Sequence, residues 1–374
     1  MDIQMVDLKV SYASIRGEID AAVKRVLEST NFILGEDVRK FENEFASYCG
    51  VKYAVGVANG TDALKIALMA SGIKYGDEVI TTPLTFIATA EAVVQSGGIP
   101  VFADIDSDSY TISPRDIEKK ITKKTRAILP VHLYGHPSKM EEIKKIAEKY
   151  NLKVIEDCAQ SFTAKYCSPD GKWHVTGSLG SAGCVSFFPA KNLGCFGDGG
   201  MIPTDSEEIF ENAKMLRNHG QKNKYFTETH GFNSRLDTIQ AAVLSVKLKY
   251  IDKWTDMRNR VAQKYSAALK DVAVVPGVAA NCKHSFNYDT LLFKDSIARD
   301  AVQKHLTEGG IACQIYYPVA LHLQKVYEYL KYKKGDFPVA ENVQDRTLSL
   351  PMYPELDDEK IERIISKIKE IVGG

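Results

Sequence analysis

Short apolar runs alternate with amphipathic segments through the first two-thirds of the chain. Residues 53–57 predict a strand, followed by a helix over 61–71 with Leu64, Ala67 and Leu68 on one face. Residues 78–82 predict the next strand and 86–95 the next helix. Strands over 100–104, 126–131 and 153–157 continue the series, with a helix over 140–150 between the last two. Strands buried on both faces read as continuous apolar runs, and helices between them imply parallel crossovers. The pattern predicts an α/β three-layer domain with a mostly parallel sheet and loops at the strand ends open to a ligand.

After a further strand over 183–188 comes a turn-rich stretch, 189–200, holding Pro189, Gly194, Gly197, Gly199 and Gly200. A helix near 206–219 follows, then one long helical pattern over 237–265 that predicts a link to a second domain. We place the boundary at Lys247, giving a large domain over 1–246 and a smaller α+β domain over 247–374. That second part closes with a charged amphipathic helix over 357–371.

Composition narrows the function. The chain has 374 residues, with 48 basic and 48 acidic side chains and so no net charge. That balance argues against a nucleic-acid binder working through a basic surface. No apolar run approaches the roughly 18 residues of a membrane span, and residues 1–12 lack the layout of a signal peptide. A cytoplasmic protein is expected. The seven cysteines are odd in number and form no Cys-x-x-Cys pair, which fits neither a disulfide framework nor a zinc site. His132 and His136 stand four apart, but Tyr134, Gly135 and Pro137 break any helix that would align them, so no metal is predicted.

Three segments carry candidate chemistry. Residues 59–63 (Asn-Gly-Thr-Asp-Ala) lie where a strand turns into a helix. Helix N-termini offer unpaired N–H groups to a phosphate, although the same residue types also serve as plain helix caps. Residues 156–160 (Glu-Asp-Cys-Ala-Gln) put acids at the end of an apolar strand. A carboxylate there needs a cation or several donors, and a protonated pyridine nitrogen is one such partner. In residues 185–200, Lys191 follows a buried strand inside a glycine-flanked turn. Most lysines lie on solvated faces, but a partly enclosed one can lose its proton and attack a carbonyl.

Together, residues 59–64, 156–160, 186–194 (Ser-Phe-Phe-Pro-Ala-Lys-Asn-Leu-Gly), 197–200 (Gly-Asp-Gly-Gly) and 233–237 (Asn-Ser-Arg-Leu-Asp) resemble the DegT/DnrJ/StrS family of sugar aminotransferases. These are fold type I pyridoxal-phosphate enzymes. The resemblance runs from residues 6–9 to residues 348–351. It implies that Lys191 forms the Schiff base with pyridoxal 5'-phosphate, that Asp157 pairs with the pyridine nitrogen, and that Gln160 lies near the ring hydroxyl. Phe86 would stack on the ring, and Gly60, Thr61 and Ser186 would hold the phosphate. Asn233 would reach the phosphate in the neighbouring subunit, which implies a homodimer with shared sites; read alone, it is a helix cap.

The implied reaction moves an amino group from glutamate to a nucleotide-linked keto-sugar in two half-reactions. Relatives with a Lys-Asn-Leu-Gly-x-x-Gly-Asp-Gly-Gly run aminate carbon 3, and residues 191–200 fit that pattern; a Thr-Thr-Gly-Glu-Gly-Gly turn goes with carbon 4. A dTDP- or UDP-linked 3-keto hexose is therefore expected. Tyr316, Tyr317 and His322 are candidates to meet the sugar, with packing between the domains as the plainer reading. Arg235 and Arg217 are candidates to supply local positive charge to its diphosphate. The chain departs from many relatives at Phe162-Thr163 and at Tyr316, which replaces a histidine, so both places are expected to reshape the sugar pocket. Lys191 argues against the dehydratase branch, where a histidine stands there. A silent cofactor-binding regulator is the alternative from another class. A nucleotide-dependent oxidoreductase would need Gly-x-Gly-x-x-Gly, which Gly56 and Gly60 do not make.

Overall fold

The computed structural model describes residues 2–372. The first fifty residues, to which the strand-helix alternation assigns nothing, form two helices, α1 (Leu8–Ser29) and α2 (Glu36–Cys49). Asp7 caps α1 by accepting from the N–H groups of Lys9 and Val10. Each helix buries one apolar stripe, Ile15, Ile19, Ala22 and Val26 on the first and Val38, Phe41 and Phe45 on the second.

The expected alternation then follows. It runs β1 (Tyr53–Val57), α3 (Gly60–Ala70), β2 (Glu78–Thr81), α4 (Ile87–Gln95), β3 (Ile99–Phe102), α5 (Pro114–Lys120), β4 (Thr125–Ile128), α6 (Met140–Tyr150) and β5 (Lys153–Asp157). A small hairpin, β6 (Lys165–Cys167) and β7 (Trp173–Val175), precedes β8 (Ala182–Ser186) and β9 (Gly200–Thr204). The seven-stranded sheet has the order β1-β9-β8-β5-β4-β2-β3. Strand β9 is antiparallel to both its neighbours, while β2, β3, β4, β5 and β8 pair in parallel. The strands read as near-continuous burial because helices cover both faces.

Helix α7 (Glu207–Leu216) and the exposed hairpin β10 (Gln221–Asn223) and β11 (Phe226–Thr227) lead to α8 (Thr238–Leu248) and α9 (Ile251–Leu269). The single long helix expected over 237–265 is thus two, broken at Lys249-Tyr250. The reason is packing. Helix α8 is buried against α1 and α2, whereas α9 turns to pack on the C-terminal helix α12 (Asp358–Val372). Between them lie β12 (Cys282–Lys283), β13 (Asp289–Leu292), α10 (Ser296–Glu308), α11 (Pro338–Arg346) and β14 (Thr347–Leu350), with β13 and β14 antiparallel. The expected division at residue 246/247 falls inside α8. One core also crosses it, since Ile3 bridges to Ile311 and packs with Val261, Leu306 and Ile364.

Candidate active site

The C-terminal ends of β5 and β8 open onto a cavity of about 370 Å³ that also meets the N-termini of α3 and α4. At α3, Asn59 Oδ1 accepts from the Asp62 N–H at 2.8 Å and the Asn59 carbonyl accepts from Ala63 at 3.0 Å. That leaves the first-turn N–H groups of Gly60 and Thr61, which have no helical acceptor, at the cavity wall. Gly60 is required there, because a Cβ would stand 2.6 Å from the Cβ of Ser186 at the end of β8. Gly60, Thr61 and Ser186 are therefore brought together, as expected for an anion seat.

Asp157 closes β5 and is buried. Its Oδ1 accepts from the Ala159 N–H at 3.0 Å and its Oδ2 from Thr89 Oγ1 at 2.8 Å. Thr89 in turn meets Thr85 at 2.9 Å. Burial raises the Asp157 pKa, against the lowering pull of Ala159, Thr89 and Lys191. A cation in the cavity would reverse that shift.

Lys191 sits in a turn that folds back tightly. Its own N–H donates to the Phe188 carbonyl at 2.8 Å, and Cys195 donates to Phe187 at 2.8 Å. A Cβ at Gly194 would lie 2.2 Å from the Pro189 carbonyl oxygen, so only glycine permits the fold-back. The Lys191 side chain is open to the cavity, yet its amine is surrounded by protein. That desolvation pulls its pKa down to about 8, opposed by the charge of Asp157. Roughly a tenth of the amine is then in the neutral, nucleophilic form at pH 7, far more than for an ordinary lysine.

Phe86 caps α4 with its ring 53% exposed, an apolar surface left uncovered by the protein at the cavity. Gln160 is buried and oriented: its Oε1 accepts from the Tyr134 N–H at 2.8 Å, and its Nε2 donates to Tyr317 Oη at 2.7 Å. Tyr316 and Tyr317 both line the cavity, with the Tyr316 ring 4.1 Å from that of Tyr288 and its carbonyl accepting from the Tyr134 hydroxyl.

Other expected residues lie elsewhere. His322 is buried away from the cavity, its Nε2 3.0 Å from Glu341 and its ring against Phe337. It is a packing residue between the short turn Leu321–Leu323 and α11 rather than a wall of the site. Asn233 is exposed outside its own chain's cavity, bridged to Asn218, and Arg235 donates to Asn218 Oδ1 at 3.0 Å. Arg217 is committed inside, to Glu42 at 2.5 Å and the Gly56 carbonyl at 2.7 Å, so it has no charge to offer a diphosphate. Phe162 stacks on Phe45 in the core and Thr163 meets Thr255, so this departure from the relatives does not touch the cavity, whereas Tyr316 does.

Sequence reading missed Thr85, Thr89 and Tyr288. Thr89 was within reach, since it lies three residues beyond Phe86 on one helix face. Nothing local marks Tyr288, which arrives from β13's leading loop by tertiary folding. Glu156 faces away from the cavity. It accepts from His132 Nε2 at 2.9 Å and from the N–H groups of Gly177, Leu179 and Gly180 at 2.7 to 2.9 Å. The Ser138 N–H donates to His132 Nδ1, which fixes the Nε2–H tautomer. Glu156, His132 and Cys158 cluster closely, but the first two are already saturated by hydrogen bonds, so the group reads as a support network.

The donor set fits one cofactor: an anion seat at α3, an apolar ring surface at Phe86, a buried acid and a partly neutral lysine. Sequence comparison decides the family, because the profile of the DegT/DnrJ/EryC1/StrS aminotransferases matches residues 13–369. The chain belongs to that family. It is an aminotransferase, and its cofactor is pyridoxal phosphate. A "pleiotropic regulatory protein" of Geobacillus stearothermophilus is 45% identical over 99% of this chain and 98% of its own. A UDP-N-acetyl-3-dehydro-alpha-D-glucosamine 3-aminotransferase of Acidithiobacillus ferrooxidans is 43% identical over 100% and 98%. The crystal structure of DesV from S. venezuelae, in complex with a ketimine intermediate, superposes with a TM-score of 0.94 at 40% identity, covering 99% of this chain and 98% of that one. Among the described residues no helix is long and apolar enough to cross a membrane.

Proposed function

We propose that this aminotransferase moves the amino group of glutamate to carbon 3 of a dTDP- or UDP-linked 3-keto hexose, acting in the cytoplasm as a homodimer with shared sites. The observation that carries the chemistry is Lys191 and Asp157 lining one cavity beside the α3 N-terminus. Support for carbon 3 comes from the turn over 191–200 and from the 3-aminotransferase named among the relatives.

Pyridoxal phosphate, when bound, supplies an electron sink that acidifies the amino donor's α-carbon. The chain's own residues do the rest. Gly60, Thr61 and Ser186 would hold the phosphate, Phe86 would bear on the ring face, and Asp157 would keep a proton on the ring nitrogen. Thr89 and the Ala159 N–H hold that carboxylate in place. The Lys191 amine, with its pKa near 8, can take a proton from one carbon and return it to another at neutral pH. Tyr288, Tyr316 and Tyr317 line the cavity from the C-terminal part of the chain. Because Gln160 donates to its oxygen, the Tyr317 hydroxyl keeps its own proton for a sugar oxygen. Standing outside their own cavity, Asn233 would reach the partner subunit's anion seat and Arg235 the nucleotide sugar bound there.

Purified protein incubated with glutamate and a panel of nucleotide 3-keto and 4-keto sugars tests this. Formation of 2-oxoglutarate in step with a 3-amino sugar, with ping-pong kinetics, is expected. A 4-amino product would move the carbon assignment. Cofactor binding without any conversion by glutamate would favour the regulatory role that the Geobacillus relative's name suggests.

A further inference from the structure

Helix α8 faces the turn that carries Lys191 with two side chains, Gln240 and Lys247. They are seven residues apart and so lie on one helix face. Gln240 brackets Phe196, accepting from its N–H at 2.8 Å and donating to its carbonyl at 3.2 Å. Lys247 is buried, only 5% exposed, and its ammonium donates to the Gly194 carbonyl at 2.5 Å. The same ammonium stands 4.4 Å from the centroid of the Phe196 ring. From the C-terminal segment, Glu355 faces it with neither carboxylate oxygen hydrogen-bonded, and Arg258 acts on that same acid. Arg258 itself donates to the carbonyls of Phe286 and Met352.

A buried ammonium is costly, and burial has already pulled this one down to about 8 against Cys195 and Glu355. A methionine of similar length would fill the space without that cost. What it would lose is the donor to Gly194, the residue at which the turn folds back against Pro189. We propose that Lys247 is a positioning residue: through the Gly194 carbonyl it fixes the turn over 192–199, and with it the backbone that presents Lys191. The role deepens the aminotransferase reading above and rests on it for its effect on rate, but not for its effect on the turn.

Two readouts on the holoprotein separate those dependences. In Lys247→Met, amide hydrogen exchange over 192–199 should quicken at least tenfold. The single-turnover conversion by glutamate should slow about tenfold with little change in the glutamate concentration at half-saturation, the size expected from a lost charge-assisted hydrogen bond. Lys247→Arg should restore both to within about threefold. If Lys247→Met leaves exchange and rate within twofold of wild type, or if Arg restores nothing, the role is refuted. Should Lys247→Met not fold, Lys247→Gln, whose shorter side chain cannot keep the same reach to the Gly194 carbonyl, carries the exchange test: quickening confined to 192–199 supports the hold through Gly194, and unchanged exchange overturns it. A wild-type protein that fails to convert glutamate would sink the functional reading while leaving the exchange result to decide this one.

Discussion

Glu156 and Asp157 are adjacent, equally buried acids at the end of β5, and the fold uses them in opposite ways. Successive strand residues point to opposite faces. Glu156 meets His132 and three backbone N–H groups, which outweigh the cost of burial and hold its pKa below the usual carboxylate value. Asp157 meets one backbone N–H and Thr89, too little to offset burial, so its pKa is raised. One acid is satisfied by the protein and stabilises it; the other keeps a charge that burial disfavours and that a cation in the cavity would favour. Incomplete satisfaction of a buried charge is what marks the site.

That contrast can be broken in steps. The largest effect is expected at the lysine facing Asp157: Lys191→Ala should lower glutamate-dependent 2-oxoglutarate formation by about 10⁴-fold, the upper end for loss of the proposed proton carrier. On the stability side, Glu156→Gln puts a donor among donors and should cost about 1–3 kcal/mol in denaturant unfolding, the size of a buried polar group left unsatisfied. The sign with pH follows from the depressed pKa. Its stabilisation is present above the unfolded carboxylate value and is lost as pH falls through the lower folded value. Thermal midpoints of Glu156→Gln should therefore vary less on acidification than those of wild type.

Asp157→Asn should reverse that pattern. It should lose about 10²–10³-fold in turnover, while the cofactor-free protein at pH 8 is at least as stable as wild type. A raised pKa means the ionised carboxylate disfavours the folded state above the unfolded value, so removing it relieves a strain. The smallest effect belongs to Thr89→Val, which removes one hydrogen bond to Asp157 and should slow the glutamate half-reaction about 2- to 10-fold.

Much of this arrangement was legible in the sequence because it rests on local rules. The strand runs, the Asn59 cap, the acid ending β5 and the glycines around Lys191 each leave a local signature. What escaped depends on packing between distant segments. Helices α1 and α2 have ordinary amphipathic patterns but no motif, and the break at Lys249-Tyr250 follows from α8 and α9 serving different cores. His322 and Arg217 have polar chemistry suited to a substrate, yet Glu341, Glu42 and a carbonyl claim them first. Lys247, which the sequence marks only as lying near a domain boundary, is the clearest case. No sequence rule distinguishes a lysine turned inward onto Gly194 from one on a solvated face.

Lys191 is half-buried and Lys247 buried, and both amines are pulled to about 8, so their acidity alone cannot say which reacts. Their partners can: Lys247 is held by Gly194, and Lys191 faces the cavity. The decisive measurement is borohydride reduction of the pyridoxal-phosphate-loaded protein, followed by peptide mapping of the pyridoxyl label. A single label on Lys191, lost in Lys191→Ala and largely retained in Asp157→Asn, is predicted. A label on Lys247 or another lysine, or none at Lys191, would contradict the site.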